Sequence, residues 1–293
     1  MLSHRITQRQ HLLRPEEDIN QLYLYALAVA AKRCEIRVHA WVAMSNHHHV
    51  IFTDVKGNFP KFLHYMHRLI AICVNALRKH RENVWAVSQP NVVWLVEKAD
   101  CFDKLIYVLA NPVSAGLVEH ASEWPGAISL APMLQYKKLV ITRPELVFRE
   151  TGGMPKEAEL EIERLPGFER VTREDWKERV IEALKAAEKS AREKLREEKR
   201  QVLGRNKVLT INPSSRPATP DEKKKPGEIV PFIACLDKAR RELEIEVLKA
   251  FREAYEIARE AWTKHKLTTR FPYGTYQRVQ LGGFAATSPP RIA

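Results

Sequence analysis

Residues Val38 to Phe52 constrain this chain most. Two short apolar runs meet at Ser45-Asn46, a turn-forming pair, and read as a β-hairpin. The second run opens with His47-His48-His49. Strand side chains alternate faces, so His47 and His49 share one face, while His48 points to the side of Val50 and Phe52. Two neighbouring imidazoles on a strand are half of a divalent-metal site, and this alternation leaves His48 out of the ligand set. The competing reading is a chance histidine cluster on a surface turn. On these residues alone the two readings stand level.

The surrounding pattern places the hairpin in a small sheet. Residues 2–9 alternate loosely and suggest a strand with Arg5 and Arg9 on one face. Arg14-Pro15-Glu16-Glu17-Asp18 starts a helix, with Pro in the first turn and acids at the positive end of the helix dipole; its apolar stripe runs to about Arg33. After Gly57-Asn58-Phe59-Pro60 a second helix is expected to about Lys79. Its inward residues are Phe62, Met66, Leu69, Ile70, Cys73 and Val74, with His64, His67, Arg68, Arg78 and Lys79 mostly on other faces. Val92–Val96 is β-prone. Asp100 reads as an N-cap with Asp103 at the capping-box position, and the helix that follows is expected to stop against Pro112. The order strand–helix–strand–strand–helix–strand–helix predicts an α/β (α+β) fold. It is a ferredoxin-like split β-α-β antiparallel sheet with helices on one face.

Residues 1–125 form the expected catalytic domain, 126–171 a connector, and 172–293 a charged, mainly helical C-terminal extension. In that extension Thr172 and Asp175 cap a long charged helix to about Val202. A Pro-rich linker with Lys223-Lys224-Lys225 covers about 204–231, a last amphipathic helix covers 232–265, and Phe271–Tyr276 is a candidate strand.

Composition narrows the partner. The formal net charge is +12, which favours a polyanion. Residues 1–125 hold 14 Lys and Arg against 11 Asp and Glu; the rest hold 34 against 25, so most of the excess lies beyond residue 125. The histidines run the opposite way, ten of eleven lying before residue 121. Cys34, Cys73, Cys101 and Cys235 are scattered without a C-x-x-C pair, which points to reduced thiols and a cytoplasmic location. No apolar run approaches a membrane span, so no membrane partner is expected. Met1-Leu2-Ser3-His4-Arg5 is not followed by a signal-peptide core. There is no phosphate-cradling glycine loop and no G-x-S-x-G.

Tyr107 and Asn111, four apart, share one face near the end of their helix. Brought to the histidine strand, His47 and His49 supply two nitrogens and Asn111 an amide oxygen. Open positions then remain for a phosphate oxygen on a metal acting as Lewis acid. Tyr107 is the natural nucleophile, although a phenol near its usual pKa of about 10 needs activation. Attack on a phosphodiester gives a phosphotyrosine and a free hydroxyl, and rejoining needs no ATP. Arg5, Arg9, Arg68 and Arg78 are candidate DNA contacts.

Met44-Ser45-Asn46-His47-His48-His49-Val50-Ile51 resembles the His-hydrophobic-His motif of the HUH single-strand endonucleases. Tyr107-Val-Leu-Ala-Asn-Pro-Val-Ser-Ala-Gly-Leu-Val118 resembles the Y-x-x-x-N-P-V-x-A-G-L-V signature of their single-tyrosine transposase branch, most closely the REP-associated tyrosine transposases. The resemblance covers about residues 1–125. It implies that His47, His49 and Asn111 hold Mg²⁺ or Mn²⁺ and that Tyr107 becomes linked to a DNA 5′-phosphate. The implied substrate is single-stranded DNA with a hairpin or palindromic repeat, and a homodimer is an open option. His48 departs from the pattern by filling a normally hydrophobic slot. The alternative is a domesticated, non-catalytic DNA-binding protein of the same fold. A replication or conjugation initiator of the same superfamily is disfavoured by the Asn-Pro-Val-Ser-Ala-Gly run.

Overall fold

The computed structural model describes residues 1–293 except 146, 149–151, 218–231, 265–267, 284 and 288–293. The chain divides into two compact units, Met1–Phe232 and Ile233–Ala293.

In the first unit, β1 (Leu2–Arg5), β2 (Ile36–Ala43), β3 (His47–Asp54) and β4 (Asn91–Val92) form one antiparallel sheet in the order β2-β3-β1-β4. With α1 (Glu17–Cys34) between β1 and β2, and α2 (Phe59–Arg78) between β3 and β4, this is the expected split β-α-β arrangement. The hairpin pairs as Val42 with His49 and Trp41 with Val50; a bulge between Val38 and Ala40 tucks His39 between the Glu163 carbonyl and the Thr53 hydroxyl. On the other side of β3, His47 faces Arg5 and His48 faces His4.

Each face of the sheet has its own apolar core. Leu2, Val38, Trp41 and Val50 pack under α1 and α2, so the two crossover helices share one face as expected. Ala40, Val42, Met44 and Ile51 point the other way and meet α3 (Lys98–Ser114), behind which lies α4 (Arg173–Glu197). The helix carrying Tyr107 and Asn111 therefore covers the second face, the one that His47 and His49 share with Ile51. Thr172 caps α4 by accepting from the Asp175 N–H at 3.1 Å. Its Trp176, Val180 and Leu184 are buried, so this charged helix is more than a solvated face. The segment between carries β6 (Leu139–Thr142) and β7 (Glu157–Leu160), an antiparallel pair whose Ile141, Ala158 and Leu160 join the α1 core.

Several local expectations are corrected. Helix α3 begins at Lys98, with Glu97 as N-cap and Asp100 reaching back to the Glu97 N–H at 2.9 Å; Asp103 has no part in the cap. It also runs through Pro112 to Ser114, because Pro112 falls in the last turn, where a single lost hydrogen bond is tolerated. Gly116 then turns the chain at φ +73°, a left-handed conformation that favours glycine. A Cβ there would meet the Leu195 side chain at 3.3 Å. Val113 and Val118 are fully buried, so part of the second signature is a packing requirement. The expected strand Val92–Val96 is divided: Val92 ends β4, and Trp94–Leu95 forms a separate two-residue strand, β5. Arg9 lies in a 3₁₀ turn, Thr7–Arg9, and does not continue the strand face of Arg5.

The second unit holds α5 (Lys238–Lys264), the expected amphipathic helix, whose Tyr255 meets the buried Phe271 at 5.9 Å between ring centroids. Phe271–Tyr276 makes only an isolated bridge, from Phe271 to Ala286, and not a strand. Lys223-Lys224-Lys225 lies outside the described residues. Among the described residues no helix is long and apolar enough to cross a membrane.

Candidate active site

The candidate centre forms where β3 passes under α3. His47 and His49 stand with ring centroids 5.0 Å apart and nearly perpendicular. The Asn111 amide nitrogen lies 3.5 Å from His49 Nε2. One turn back on α3, the half-exposed Tyr107 presents its ring edge-on to His49, centroids 5.5 Å apart. The four residues proposed as ligands and nucleophile thus converge, although 62 positions separate His49 from Asn111.

Both imidazoles are held neutral. Burial, then the positive charge of Arg5, brings His47 down to about 4. Burial, then His47 and Arg5, brings His49 to about 3. Neutral imidazoles keep a lone pair for a metal at physiological pH, as ligation requires. His49 Nδ1 is buried and has no hydrogen-bond partner among the described residues. Two neutral imidazole nitrogens beside a side-chain amide are a donor set that fits a divalent cation once the amide turns its oxygen toward them, and no carboxylate is needed to assemble it.

Arg5 sits directly across from His47 on β1, on the same sheet face. The Lys104 ammonium lies 5.7 Å from the centre of the Tyr107 ring and pairs with Asp103 at 2.9 Å. These two cations flank the cluster. Arg68 is exposed on α2. Arg78 is committed elsewhere: its guanidinium pairs with Glu16 at 2.5 Å and donates to the Leu12 and Arg14 carbonyls, so it is a structural clamp and not a free DNA contact. Arg9, in its 3₁₀ turn, does not line the histidine face as a strand neighbour of Arg5.

His48 faces the opposite core, as its register predicts, and is fully buried there. The Tyr23 hydroxyl and His48 Nδ1 are hydrogen-bonded at 3.0 Å, and His48 Nε2 and His67 Nε2, also 3.0 Å apart, share one proton-bearing nitrogen between them. Trp85 stacks on His4 and donates its indole N–H to the His67 carbonyl. His67 was expected on a polar face of α2; it is buried because this chain of hydrogen bonds satisfies it. The partners of His48 were invisible in the sequence, since Tyr23 and His67 are 25 residues before it and 19 after it.

No protein-family model matches this chain, and no curated protein sequence matches it. Among solved structures, the chain is similar to one described as a REP-associated tyrosine transposase bound to a REP hairpin. The identity is 16%, the match covers 52% of this chain and 91% of that chain, and the TM-score is 0.38.

Proposed function

We propose that this chain is an HUH-type, single-tyrosine transposase that nicks and rejoins single-stranded DNA at hairpin or palindromic repeats. The observation that carries the reading is the meeting of Tyr107 and Asn111, one turn apart on α3, with His49 and His47 on β3. Those residues also carry the resemblance to the two signatures of the single-tyrosine branch. Within that branch the second signature resembles that of the REP-associated tyrosine transposases.

In this reading His47, His49 and Asn111 hold Mg²⁺ or Mn²⁺, which when bound polarises a phosphate oxygen as a Lewis acid. Arg5, on the same face, adds positive charge where the phosphate collects negative charge in the transition state. Tyr107 is exposed enough to meet a strand entering from solvent. Its phenolic oxygen attacks phosphorus and loses its proton; the bond to the 3′-oxygen breaks and that oxygen gains one. The product pair is a 5′-phosphotyrosine and a free 3′-hydroxyl. One phosphodiester replaces another, so the reverse attack by a 3′-hydroxyl reseals DNA without an energy source. Lys104 stands beside the Tyr107 ring, 5.7 Å from its centre, and adds positive charge near the reacting tyrosine. Arg68, with the basic residues beyond position 125, contributes charge for the nucleic-acid backbone.

The test is covalent capture. Full-length protein, a 3′-labelled hairpin oligonucleotide with single-stranded flanks, and Mn²⁺ should give a denaturant-resistant adduct that maps to Tyr107. Excess chelator should abolish it. Binding without any adduct would instead support a domesticated DNA-binding protein of the same fold. An adduct formed equally in chelator would remove the metal from the reading.

A further inference from the structure

The two histidines of the candidate metal centre are not equally prepared. His47 Nδ1 lies 2.8 Å from the side-chain oxygen of Asn46. An amide oxygen has lone pairs and no proton to give, so Nδ1 must carry the hydrogen. A neutral imidazole has one such hydrogen, and Nε2 is therefore left as a bare lone pair. An imidazole with no such neighbour in water favours the proton on Nε2, the form in which that nitrogen cannot bind a cation. His49 has no acceptor of this kind: its Nδ1 is buried without a hydrogen-bond partner among the described residues, and the Asn111 amide nitrogen lies 3.5 Å from its Nε2.

Asn46 is itself held by the backbone around it. The Ile6 N–H donates to the Asn46 carbonyl at 2.8 Å, the Leu13 N–H to the Ser45 carbonyl at 2.9 Å, and the Met44 N–H to the His47 carbonyl at 2.9 Å. The turn of the hairpin is thus tied to the end of β1 and to the segment before α1. The amide arrives beside His47 at a fixed height. Turn chemistry alone asks only for a residue that favours turns at this position. The hydrogen bond adds a second demand, an acceptor at side-chain length, which Gly or Ala does not meet.

We propose that Asn46 is the positioning residue of this site: by accepting the His47 Nδ1 hydrogen it presents His47 Nε2 to a divalent cation. This rests on the metal reading given above. Outer hydrogen bonds of this type change metal affinity about 10- to 100-fold when removed.

The test uses full-length protein at pH 8 and two readouts, nitrogen NMR of the histidine rings without metal and calorimetric titration with Mn²⁺. In the wild type His47 should carry its proton on Nδ1. Asn46→Ala should move that proton toward Nε2 and weaken Mn²⁺ uptake about 10- to 100-fold. Asn46→Asp keeps an acceptor at the same reach and should keep both the tautomer and the uptake. That rescue is what a purely structural role for the turn would not produce, and it can be read even if the Ala variant fails to fold. Equal Mn²⁺ affinity in wild type and Asn46→Ala, a wild-type His47 protonated on Nε2, or loss of the Nδ1 tautomer in folded Asn46→Asp would each overturn the proposal. A wild-type protein with the Nδ1 tautomer and no Mn²⁺ uptake would instead show that the metal reading itself has failed.

Discussion

The Tyr107 phenol stands edge-on to the His49 imidazole at 82°, with 5.5 Å between ring centroids. The contact ties the helix that would supply the nucleophile to the strand that would supply the metal ligands, while about half of the tyrosine stays open to solvent. Tyr107→Phe keeps the ring and removes only the hydroxyl. Adduct formation should fall to background, hairpin-DNA affinity should persist, and stability should change by no more than about 0.5 kcal/mol. Capture gels, a binding titration and urea unfolding on one preparation check all three. Adducts that persist in this variant would move the nucleophile elsewhere.

His48→Val separates the two faces of β3. From the alternation of the strand alone, valine in this slot would be neutral or stabilising. The buried bonds to Tyr23 and His67 reverse that expectation, since the substitution strands a hydroxyl and an imidazole nitrogen in the core. Each orphaned group costs about 1–3 kcal/mol. Urea unfolding should show a loss of that order, while Mn²⁺ affinity changes little because His48 faces away from the candidate centre. A fall in metal affinity as large as that of His49→Ala would contradict this register.

Acid should destabilise the metal-free protein early. Burial, then His4, holds His67 near 3, and His47 and His49 sit near 4 and 3, against about 6.5 in the unfolded chain. Between those values the unfolded state binds more protons. Stability is then fully present above about pH 6.5 and is lost as pH falls through that window. The slope is about 1.4 kcal/mol per pH unit for each histidine that must stay neutral. Urea midpoints from pH 7.5 to 4 measure it, and His67→Gln should flatten the curve by one histidine. A pH-independent midpoint across this range would be incompatible with these buried rings.

The basic excess beyond residue 125 predicts a salt effect. Each phosphate contact on a single strand adds roughly 0.7 to the log–log slope of affinity against salt. Replacing Lys223, Lys224 and Lys225 by alanine in the full chain should lower that slope by up to roughly 2 and weaken binding without a change in Tyr107 reactivity once bound. Fluorescence anisotropy at several salt concentrations reads it. An unchanged slope would leave these lysines out of the DNA contact.

What the sequence by itself determined was local and periodic. Period-2 alternation put His47 and His49 together and His48 apart, and i,i+4 spacing put Tyr107 beside Asn111. Element order predicted the split β-α-β sheet. The tertiary structure alone decided what depends on partners distant in the chain. It placed α3 on the sheet face away from α1 and α2, because Ala40, Val42 and Ile51 present a second apolar surface that must also be covered. It turned His67 inward toward His48 and spent Arg78 on Glu16, since a buried imidazole and a half-buried guanidinium each need a partner that no local pattern names. It also gave Asn46 a purpose beyond the turn. A single amide oxygen 2.8 Å from one ring nitrogen is a relationship of distance, and sequence spacing does not encode distance until the chain has folded.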